Sequence, residues 1–353
     1  MLKHLKYSIL LVVFNIFGSA QATIERIELN TGTYMPVLGL GTWQNTNETE
    51  LVAALTTALD NGYRLIDTAF LYNNEAVIGK VLKEYIDSGK VKREDIFITT
   101  KLPFTAHDPN DVEECVNTQL KRLQLDYIDL YLIHCPLPLQ KANDSFDAAL
   151  ANGVPIPVTI DHVDTWHALE KLYDAGKLKA LGLSNFNASQ IRNVYDKARV
   201  KPANLQVECH LYWPQTELHE LCKELNMSFT AYAPLGSRGR KASNPQMVWP
   251  EGDPMSEPVV QKLAAKHNKT AAQIMLRHLH QRGMIVIPKT SKPERVKENM
   301  DIFDFSLSDE EMKELNDIKT RKRFFLFDIA IGHPFYPFGD VDQTKYKVAP
   351  LHP

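Results

Sequence analysis

Four residues with ionisable or hydroxyl side chains follow apolar runs of the sequence, and together they can transfer a proton. Asp67 and Tyr72 lie five residues apart in the segment 65–75, Lys101 ends a second run and His134 ends a third. If these runs are parallel strands of one barrel, their carboxyl ends meet at one mouth, so the four side chains share a pocket. A carboxylate, a phenol, an ammonium and an imidazole in one pocket are suited to proton transfer.

Each of these residues also has a purely structural interpretation. A lone aspartate is usually a helix cap or a surface acid, and a lone tyrosine is usually a half-buried packing residue. A lysine after a strand is usually solvated, and a histidine after an apolar run is usually a satisfied core residue. Their position at the ends of successive predicted strands favours the catalytic interpretation for all four.

The elements that must position these residues alternate along the chain. Apolar residues at helical spacing predict helices, and short apolar runs between them predict strands that begin at residues 37, 65, 96, 128, 180, 205, 229 and 285. Eight strand–helix units predict an α/β fold, a (β/α)₈ TIM barrel. We expect an additional carboxyl-terminal helix at 308–318, with Ser308 as its N-cap, and an aromatic tail from residue 321.

An open dinucleotide-binding sheet is the alternative to a closed barrel. It requires the pattern G-x-G-x-x-G between an early strand and a helix. Only Gly39 and Gly41 resemble that pattern; the third glycine is missing and no helix follows directly. The barrel is therefore preferred, with irregular segments expected at 31–37, 135–160 and 237–257.

The first 22 residues resemble a signal peptide. Lys3 and Lys6 precede a short apolar block at 8–17, and Ala20 and Ala22 have the A-x-A spacing. We expect cleavage after Ala22 and a single barrel domain over residues 23–353; an uncleaved anchor is the alternative. The leader predicts a location in the secretory pathway, either in the endoplasmic reticulum lumen or outside the cell.

Five Asn-x-Ser/Thr sequons agree with a secretory route and predict a glycoprotein. They begin at Asn47, Asn143, Asn187, Asn226 and Asn268. Asn187 is expected to stay unmodified because it lies close to a predicted strand mouth.

The composition is that of a globular enzyme. Hydrophobic residues make up 44% and charged residues 24%, and no run after the leader is long enough to span a membrane. The net charge of -3 provides no basic field for nucleic acid. The four cysteines form no C-x-x-C pair, so no metal site is predicted, while one disulfide stays an open alternative.

Seven short motifs, in order and with matching spacing, make the chain resemble the aldo-keto reductases over nearly all of its length after the leader. The motifs lie at residues 41–43, 65–75, 132–134, 182–186, 206–210, 231–236 and 287–290. The resemblance implies a TIM barrel that binds NADPH without a Rossmann domain and reduces aldehydes and ketones to alcohols. It also implies a small carbonyl compound as substrate, and nothing in the sequence argues against a monomer.

The resemblance assigns a role to each of the four residues. Tyr72 would donate the proton to the carbonyl oxygen while NADPH supplies the hydride. Lys101 is expected to lower the pKa of Tyr72 from its usual value near 10. Asp67 would orient Lys101, and His134 would bind the carbonyl oxygen and orient the substrate.

The resemblance also implies a site for NADPH/NADP+. The implied contacts of the 2′-phosphate are with Lys289, Thr290, Ser291 and Arg295, and those of the adenine are with Arg295, Glu298 and Asn299. The nicotinamide would contact Ser184, Asn185, Gln206 and Tyr232. The pyrophosphate would contact Leu235, Gly236 and Ser237, and the ribose would contact Gly41, Thr42 and Trp43. Lys292 adds a cation that would favour NADPH over NADH. An exposed basic helix start is the structural alternative for this cluster.

The substrate pocket is expected to contain Trp43, Phe70, His134 and Cys135. Cys135 departs from the family, in which tryptophan often follows the histidine, and Pro103 stands where tryptophan is also frequent. The pocket is therefore wider, or the tail refills it. The aromatic residues available for this are Phe324, Phe325, Phe327, Phe335, Tyr336 and Phe338. Packing of the tail is the alternative, and the substrate class stays open among sugar aldehydes, aliphatic aldehydes, quinones, steroids and other ketones.

The expected activity is an NADPH-dependent carbonyl reduction. The alternative is a non-catalytic NADP(H)-binding sensor or partner protein on the same barrel, for which Lys101 would be unnecessary. A secreted structural protein without a cofactor would need none of the cofactor motifs.

Overall fold

The computed structural model describes residues 24–342, apart from 144, 244 and 246, together with residue 344. The predicted leader, residues 1–22, lies outside the described residues. Within the described part of the chain, no helix is both long and apolar enough to cross a membrane.

Eight parallel strands form the predicted barrel. A hairpin of β1 (Arg26–Glu28) and β2 (Tyr34–Pro36) precedes them, and a second small hairpin, β7 (Leu150–Ala151) and β8 (Val154–Pro155), interrupts the series. The barrel strands are β3 (Gly39–Gly41), β4 (Leu65–Asp67), β5 (Phe97–Leu102), β6 (Leu130–Ile133), β9 (Leu181–Ser184), β10 (Asn204–Glu208), β11 (Ser228–Tyr232) and β12 (Ile285–Val286).

Backbone contacts between the first and last barrel strands close the barrel. The Val286 N–H donates to the Val37 carbonyl at 3.0 Å, and the Gly41 N–H donates to the Pro288 carbonyl at 3.2 Å. A Cβ atom at Gly41 would lie 2.6 Å from the carbonyl oxygen of Ile287. Glycine is therefore required here, because the two chain segments approach each other closely.

Helices follow the strands and cover the outside of the barrel. They are α1 (Glu48–Asp60), α2 (Glu75–Asp87), α3 (Val112–Leu123), α4 (His162–Asp174), α5 (Ala188–Lys197), α6 (Thr216–Glu224), α7 (Arg240–Ser243), α8 (Pro258–His267), α9 (Ala271–Gln281), α10 (Pro293–Glu298) and α11 (Asp309–Asn316). Asn187, Thr270 and Ser308 begin α5, α9 and α11 with capping boxes, which satisfy backbone N–H groups at those helix starts.

The β1–β2 hairpin covers the amino-terminal end of the barrel. Leu29 and Met35 are buried and belong to one apolar cluster with inward-facing strand residues such as Leu65 and Leu130. Residues 31–37 were expected to form a turn-rich lead-in; residues 31 and 32 do lie in a turn, but residues 34–36 form β2, which was not predicted. Neither strand of this hairpin contains the short apolar run by which the barrel strands were recognised.

After α11 the chain lies against the barrel as the predicted tail. Its buried residues include Phe324, Phe325, Leu326, Ile331 and Phe338. A short 3₁₀ helix, Asp328–Ala330, is the regular element described within residues 321–342. The tail is therefore a packed part of the fold, although it is largely irregular.

Candidate functional site

The carboxyl ends of β4 and β5 bring three of the four predicted catalytic residues into contact. The ammonium of Lys101 donates to the Asp67 carboxylate at 2.7 Å, to the Thr68 carbonyl at 2.9 Å and to the Tyr72 hydroxyl at 3.3 Å. The side chains of Lys101 and Asp67 are 1% and 4% exposed. A buried charge needs such a partner, so the ion pair fixes both side chains.

The chain between Asp67 and Tyr72 is held by a second set of buried polar groups. The Thr68 hydroxyl donates to the Asn74 side-chain oxygen at 2.7 Å, and the Asn74 amide donates to the Thr42 carbonyl at 2.9 Å. Asn73 adopts a left-handed conformation with φ of 53° directly after the 3₁₀ helix Phe70–Tyr72. These contacts hold Tyr72 above Lys101 before α2 begins.

Buried residues that were not predicted from the sequence also hold Lys101 in position. The Gln119 amide donates to the Lys101 carbonyl at 3.3 Å and to the Glu75 carboxylate at 2.7 Å. Glu75 also accepts from the Thr100 hydroxyl at 2.7 Å. Spacing gives no signal for Gln119 because its partners lie 18 and 44 residues away along the chain.

His134 joins the same site from the end of β6. Its ring lies 5.7 Å from the Tyr72 ring in an edge-on arrangement and 5.6 Å from the Phe104 ring. Burial, and then the charges of Lys101 and His107, lower the pKa of His134 well below 6.5. The imidazole is therefore neutral at pH 7, with a buried Nδ1 that has no hydrogen-bond partner among the described residues.

The pKa of Tyr72 shifts in the direction opposite to the one predicted. Burial, and then the negative charge of Asp67, raise the pKa of Tyr72 well above its usual value of 10. Lys101 was expected to lower it. The prediction is wrong for the chain as described because desolvation of a phenolate outweighs the neighbouring ammonium. The phenol consequently holds its proton throughout the neutral range.

The predicted nicotinamide contacts lie next to this cluster and bind one another. The Tyr232 hydroxyl donates to the Asn185 side-chain oxygen at 2.9 Å, and the Asn185 amide donates to Ser184 Oγ at 3.1 Å and to the His134 carbonyl at 2.8 Å. The Gln206 amide donates to the second oxygen of Asp67 at 2.7 Å. Strands β6, β9, β10 and β11 therefore contribute to the same mouth as β4 and β5.

The predicted phosphate contacts form a separate cationic cluster near the barrel closure. Lys289, Lys292 and Arg295 are exposed, and none has an ion-pair partner among the described residues. Thr290 is buried, and its hydroxyl accepts the Lys292 N–H at 3.1 Å. These three cations lie within seven consecutive residues, and a bound phosphate would offset their charge.

The remaining predicted cofactor residues occupy the connections around these two groups. Gly236 and Ser237 have positive φ angles of 74° and 50° directly after β11. Thr42 is buried, and its hydroxyl donates to the Asp67 carbonyl at 2.9 Å. The others are Gly41 at the end of β3, Trp43 and Leu235, which are partly buried, Ser291 before α10, and Glu298 and Asn299 at the end of α10.

Two of the four predicted pocket residues, Phe70 and Cys135, have buried side chains. Phe70 packs with its ring 4.3 Å from the Arg122 guanidinium and 5.5 Å from the Phe146 ring. Cys135 has no exposed surface. The assignment of Phe70 and Cys135 to the substrate pocket therefore stays a prediction.

Some aromatic side chains of the tail contact residues of the site. This was one of the two alternatives expected for the tail. The Phe325 ring lies 5.4 Å from Trp43 and 5.3 Å from Tyr232. The Phe327 ring lies 6.4 Å from Phe104, which in turn contacts His134. The other tail aromatics pack elsewhere; Phe335, for example, lies 4.7 Å from His162. Aromatic residue type alone does not show which tail residues contact the site and which pack elsewhere.

Comparison with known proteins gives consistent results. The sequence pattern described as "Aldo/keto reductase family" matches residues 37–320. The chain is 44% identical to aldo-keto reductase family 1 member A1 of Mus musculus, covering 90% of this chain and 99% of that protein, and 43% identical to its Homo sapiens counterpart, covering 88% and 97%. The solved structure of the aldose reductase from Schistosoma japonicum aligns with a TM-score of 0.82 at 42% identity, covering 90% of this chain and 99% of that one.

The same comparisons overturn the secretory-pathway location that the leader predicted, and that prediction is wrong. It rested on residues 1–22, with the five sequons as secondary support. The mouse relative is matched over 99% of its own length by 90% of this chain, so about a tenth of the chain has no counterpart in it. The relatives therefore lend the leader no support. The glycosylation predicted from the five sequons depends on that location and has no support either.

Proposed function

Because the chain belongs to the aldo/keto reductase family, we propose that it reduces aldehydes or ketones to alcohols with NADPH as its cofactor. One observation carries the proposal: the Lys101 ammonium contacts both the Tyr72 hydroxyl, at 3.3 Å, and the Asp67 carboxylate, at 2.7 Å. A buried lysine between an acid and a phenol is costly to maintain, and a protein that only binds a nucleotide has no use for it.

The site supplies the proton that carbonyl reduction requires. When bound, the nicotinamide ring supplies the hydride that the carbonyl carbon receives. Tyr72 donates its proton to the carbonyl oxygen; burial raises the pKa of Tyr72, so the phenol is protonated at neutral pH but is a weak acid that depends on Lys101 for transfer. Lys101 stabilises the negative charge that develops on the Tyr72 oxygen, and Asp67 holds Lys101 in position.

His134 positions the substrate in this proposal. Because its pKa is far below 6.5, the imidazole is neutral and one ring nitrogen carries a proton that can be donated to the carbonyl oxygen. Its edge-on contact with Tyr72, at 5.7 Å between ring centroids, lets both groups reach one oxygen atom. The carbonyl oxygen would then accept two hydrogen bonds at the mouth of the barrel.

The residues present fit NADPH by the chemistry of their donors. Lys289, Lys292 and Arg295 offer unpaired cations for a 2′-phosphate, which NADH lacks. Ser184 and Asn185 offer side-chain groups for a carboxamide, and Tyr232 offers an aromatic face.

The test is to follow NADPH oxidation by the purified protein with a panel of aldehydes and ketones. We expect turnover with at least one carbonyl class. Substitution Arg295→Met should raise the KM for NADPH about tenfold and leave the KM for NADH nearly unchanged, since one charged phosphate contact contributes about 1.5–3 kcal/mol. Lys297→Met, an exposed cation on the same helix outside the predicted contacts, is the matched control.

A different outcome would favour the non-catalytic alternative. If NADPH quenches the tryptophan fluorescence of the protein but no carbonyl in the panel is reduced, the barrel binds the cofactor without turnover. If neither binding nor turnover is observed, the proposal is wrong in both parts.

A further inference from the structure

A buried carboxylate at the end of β10 holds the tail, and the proposed mechanism gives it no task. Glu208 is 1% exposed. Its Oε1 accepts the Phe324 N–H at 2.6 Å and lies 2.8 Å from His210 Nε2, while its Oε2 accepts the Phe325 N–H at 3.0 Å. His210 Nδ1 accepts the Tyr212 N–H at 3.2 Å, so the ring proton is on Nε2 and is donated to Glu208.

This arrangement fixes the backbone of the tail at two consecutive residues. A carboxylate buried without donors is strongly unfavourable, so the two N–H groups of the tail and the ring of His210 must stay in place to satisfy it. The Lys322 N–H adds a contact to the Tyr212 carbonyl at 2.9 Å two residues earlier. The tail is thus attached at its entry to the mouth by charge-assisted hydrogen bonds.

The side chain of Phe324 connects this anchor to the segment after β11. Its ring stacks on His210 at 4.8 Å with an angle of 25° between the planes, and the Arg240 guanidinium lies 3.8 Å from the ring centroid. Arg240 donates to the carbonyls of Gly236 at 2.8 Å and Pro250 at 2.8 Å. The tail and the connection that carries the proposed pyrophosphate contacts are therefore packed on the same ring.

The next residue, Phe325, faces the pocket. Its ring makes edge-on contacts with Trp43 at 5.4 Å, Tyr232 at 5.3 Å and Trp249 at 5.3 Å. Because Glu208 binds the N–H groups of both Phe324 and Phe325, the carboxylate determines where this ring lies.

We propose that Glu208 is a positioning residue, which holds Phe325 in the wall of the carbonyl pocket. The reduction of bulky aromatic carbonyls then depends on Glu208. The inference rests on the proposed function. An aromatic aldehyde needs the ring of Phe325 as a packing surface, whereas a small aliphatic aldehyde needs only the polar contacts of Tyr72 and His134. Glu208 itself touches neither substrate nor cofactor.

The experiment compares Glu208→Gln with wild type in steady-state reduction of benzaldehyde and of propanal with NADPH. Glutamine keeps the shape of the side chain but turns an N–H donor toward a backbone N–H group. We expect the KM for benzaldehyde to rise tenfold or more, while the KM for propanal and the Kd for NADPH change less than twofold. Phe325→Ala should show the same selectivity, and the double variant should be no worse than Phe325→Ala.

Glu170→Gln is the matched control. Glu170 lies on helix α4 and is another buried carboxylate, 6% exposed. Its Oε1 accepts two consecutive backbone N–H groups, those of Arg199 at 2.7 Å and Val200 at 2.8 Å. The substitution Glu170→Gln should leave the ratio of the two KM values unchanged. An equal change for both aldehydes in Glu208→Gln, or no change where Phe325→Ala has one, would overturn the proposal.

Two further measurements keep the proposal testable. If Glu208→Gln does not fold, Glu208→Asp withdraws the carboxylate by one methylene and must raise the same KM ratio; an unchanged ratio would overturn the proposal. If wild type reduces no carbonyl, the proposed function fails, but tryptic cleavage after Lys322 or Arg323 must still be faster in the Glu208 variant than in Glu170→Gln. Equal cleavage rates would overturn the anchoring role itself.

Discussion

At the scale of single residues, the ammonium of Lys101 connects the structure of the site with its chemistry. It donates to three oxygen atoms and has almost no exposed surface, so its charge is balanced by Asp67 rather than by water. An ammonium 3.3 Å from the Tyr72 hydroxyl interacts more strongly with a phenolate than with a phenol. The contact therefore stabilises the transition state of proton transfer more than the ground state.

Removal of the ammonium separates the catalytic from the structural part of this role. We expect Lys101→Met to lower kcat by about 10²–10⁴-fold, the usual contribution of general acid catalysis, and to lower the free energy of unfolding by about 3–5 kcal/mol because Asp67 is left unpaired. Steady-state kinetics and urea unfolding measure the two effects.

The double variant Lys101→Met/Asp67→Asn is the control for this prediction. It removes the unpaired charge, so most of the stability should return while kcat stays low. A kcat that recovers together with the stability would show that Lys101 has only a structural role.

The types of these residues were predictable from sequence, but their directions were not. Asp67, Tyr72, Lys101 and His134 follow strands, and the carboxyl ends of parallel barrel strands meet at one mouth. The contacts of the Phe70 ring with Arg122 and Phe146 could not be read from spacing, because both partners lie far away along the chain. The sign of the Tyr72 pKa shift depends on burial, which residue spacing does not report.

At the scale of elements, the candidate site lies at one end of the barrel and a covering hairpin lies at the other. The strand carboxyl ends carry the site, while the β1–β2 hairpin covers the amino-terminal end with Leu29 and Met35. Met35 has no exposed surface, whereas its neighbour Tyr34 is 54% exposed. Two adjacent residues of one strand thus point into the barrel and into solvent.

This alternation gives a stability prediction with an internal control. Met35→Ala leaves a cavity among the inward-facing strand residues and should lower the free energy of unfolding by about 2–5 kcal/mol. Tyr34→Ala should change it by less than about 0.5 kcal/mol. Urea unfolding measures both, and kcat of the folded enzyme should be unchanged in each. Equal destabilisation by the two variants would show that the hairpin does not pack as described.

The elements were predictable to the extent that they carry end signals. Helix α11 (Asp309–Asn316) begins directly after Ser308, the N-cap that the sequence predicted. Asn187 begins α5 with a capping box, which the sequence displays as Asn187 and Gln190 at the required spacing. The two hairpins were missed because their strands lack the apolar runs that mark the barrel strands.

At the scale of the whole molecule, several buried histidines outside the catalytic contacts make stability depend on pH, and His107 and His162 are two of them. His107 and His162 are 1% and 4% exposed, and their rings lie 6.4 Å apart. Burial, reinforced for His107 by the neighbouring histidines, lowers the pKa of His107 to about 3 and that of His162 to about 4. Both are neutral in the folded protein at pH 5, whereas in the unfolded chain a histidine titrates near about 6.5.

The unfolded chain therefore binds more protons than the folded protein below about pH 6.5, and stability falls as the pH falls toward 4. We expect the free energy of unfolding to decrease between pH 7.5 and pH 5 by up to about 2 kcal/mol for each of the two histidines. Urea unfolding at the two pH values measures the loss. His107→Leu should make it smaller, and the same loss in wild type and variant would contradict this explanation.

The proton assignment to Tyr72 is the central claim, and Tyr72→Phe tests it most directly. The substitution removes one oxygen atom from a half-buried ring and leaves the ion pair of Lys101 with Asp67 in place. Single-turnover oxidation of bound NADPH by an aldehyde that wild type reduces should be slower by about 10²–10⁴-fold, with the Kd for NADPH nearly unchanged. Turnover at the wild-type rate in Tyr72→Phe would contradict the account.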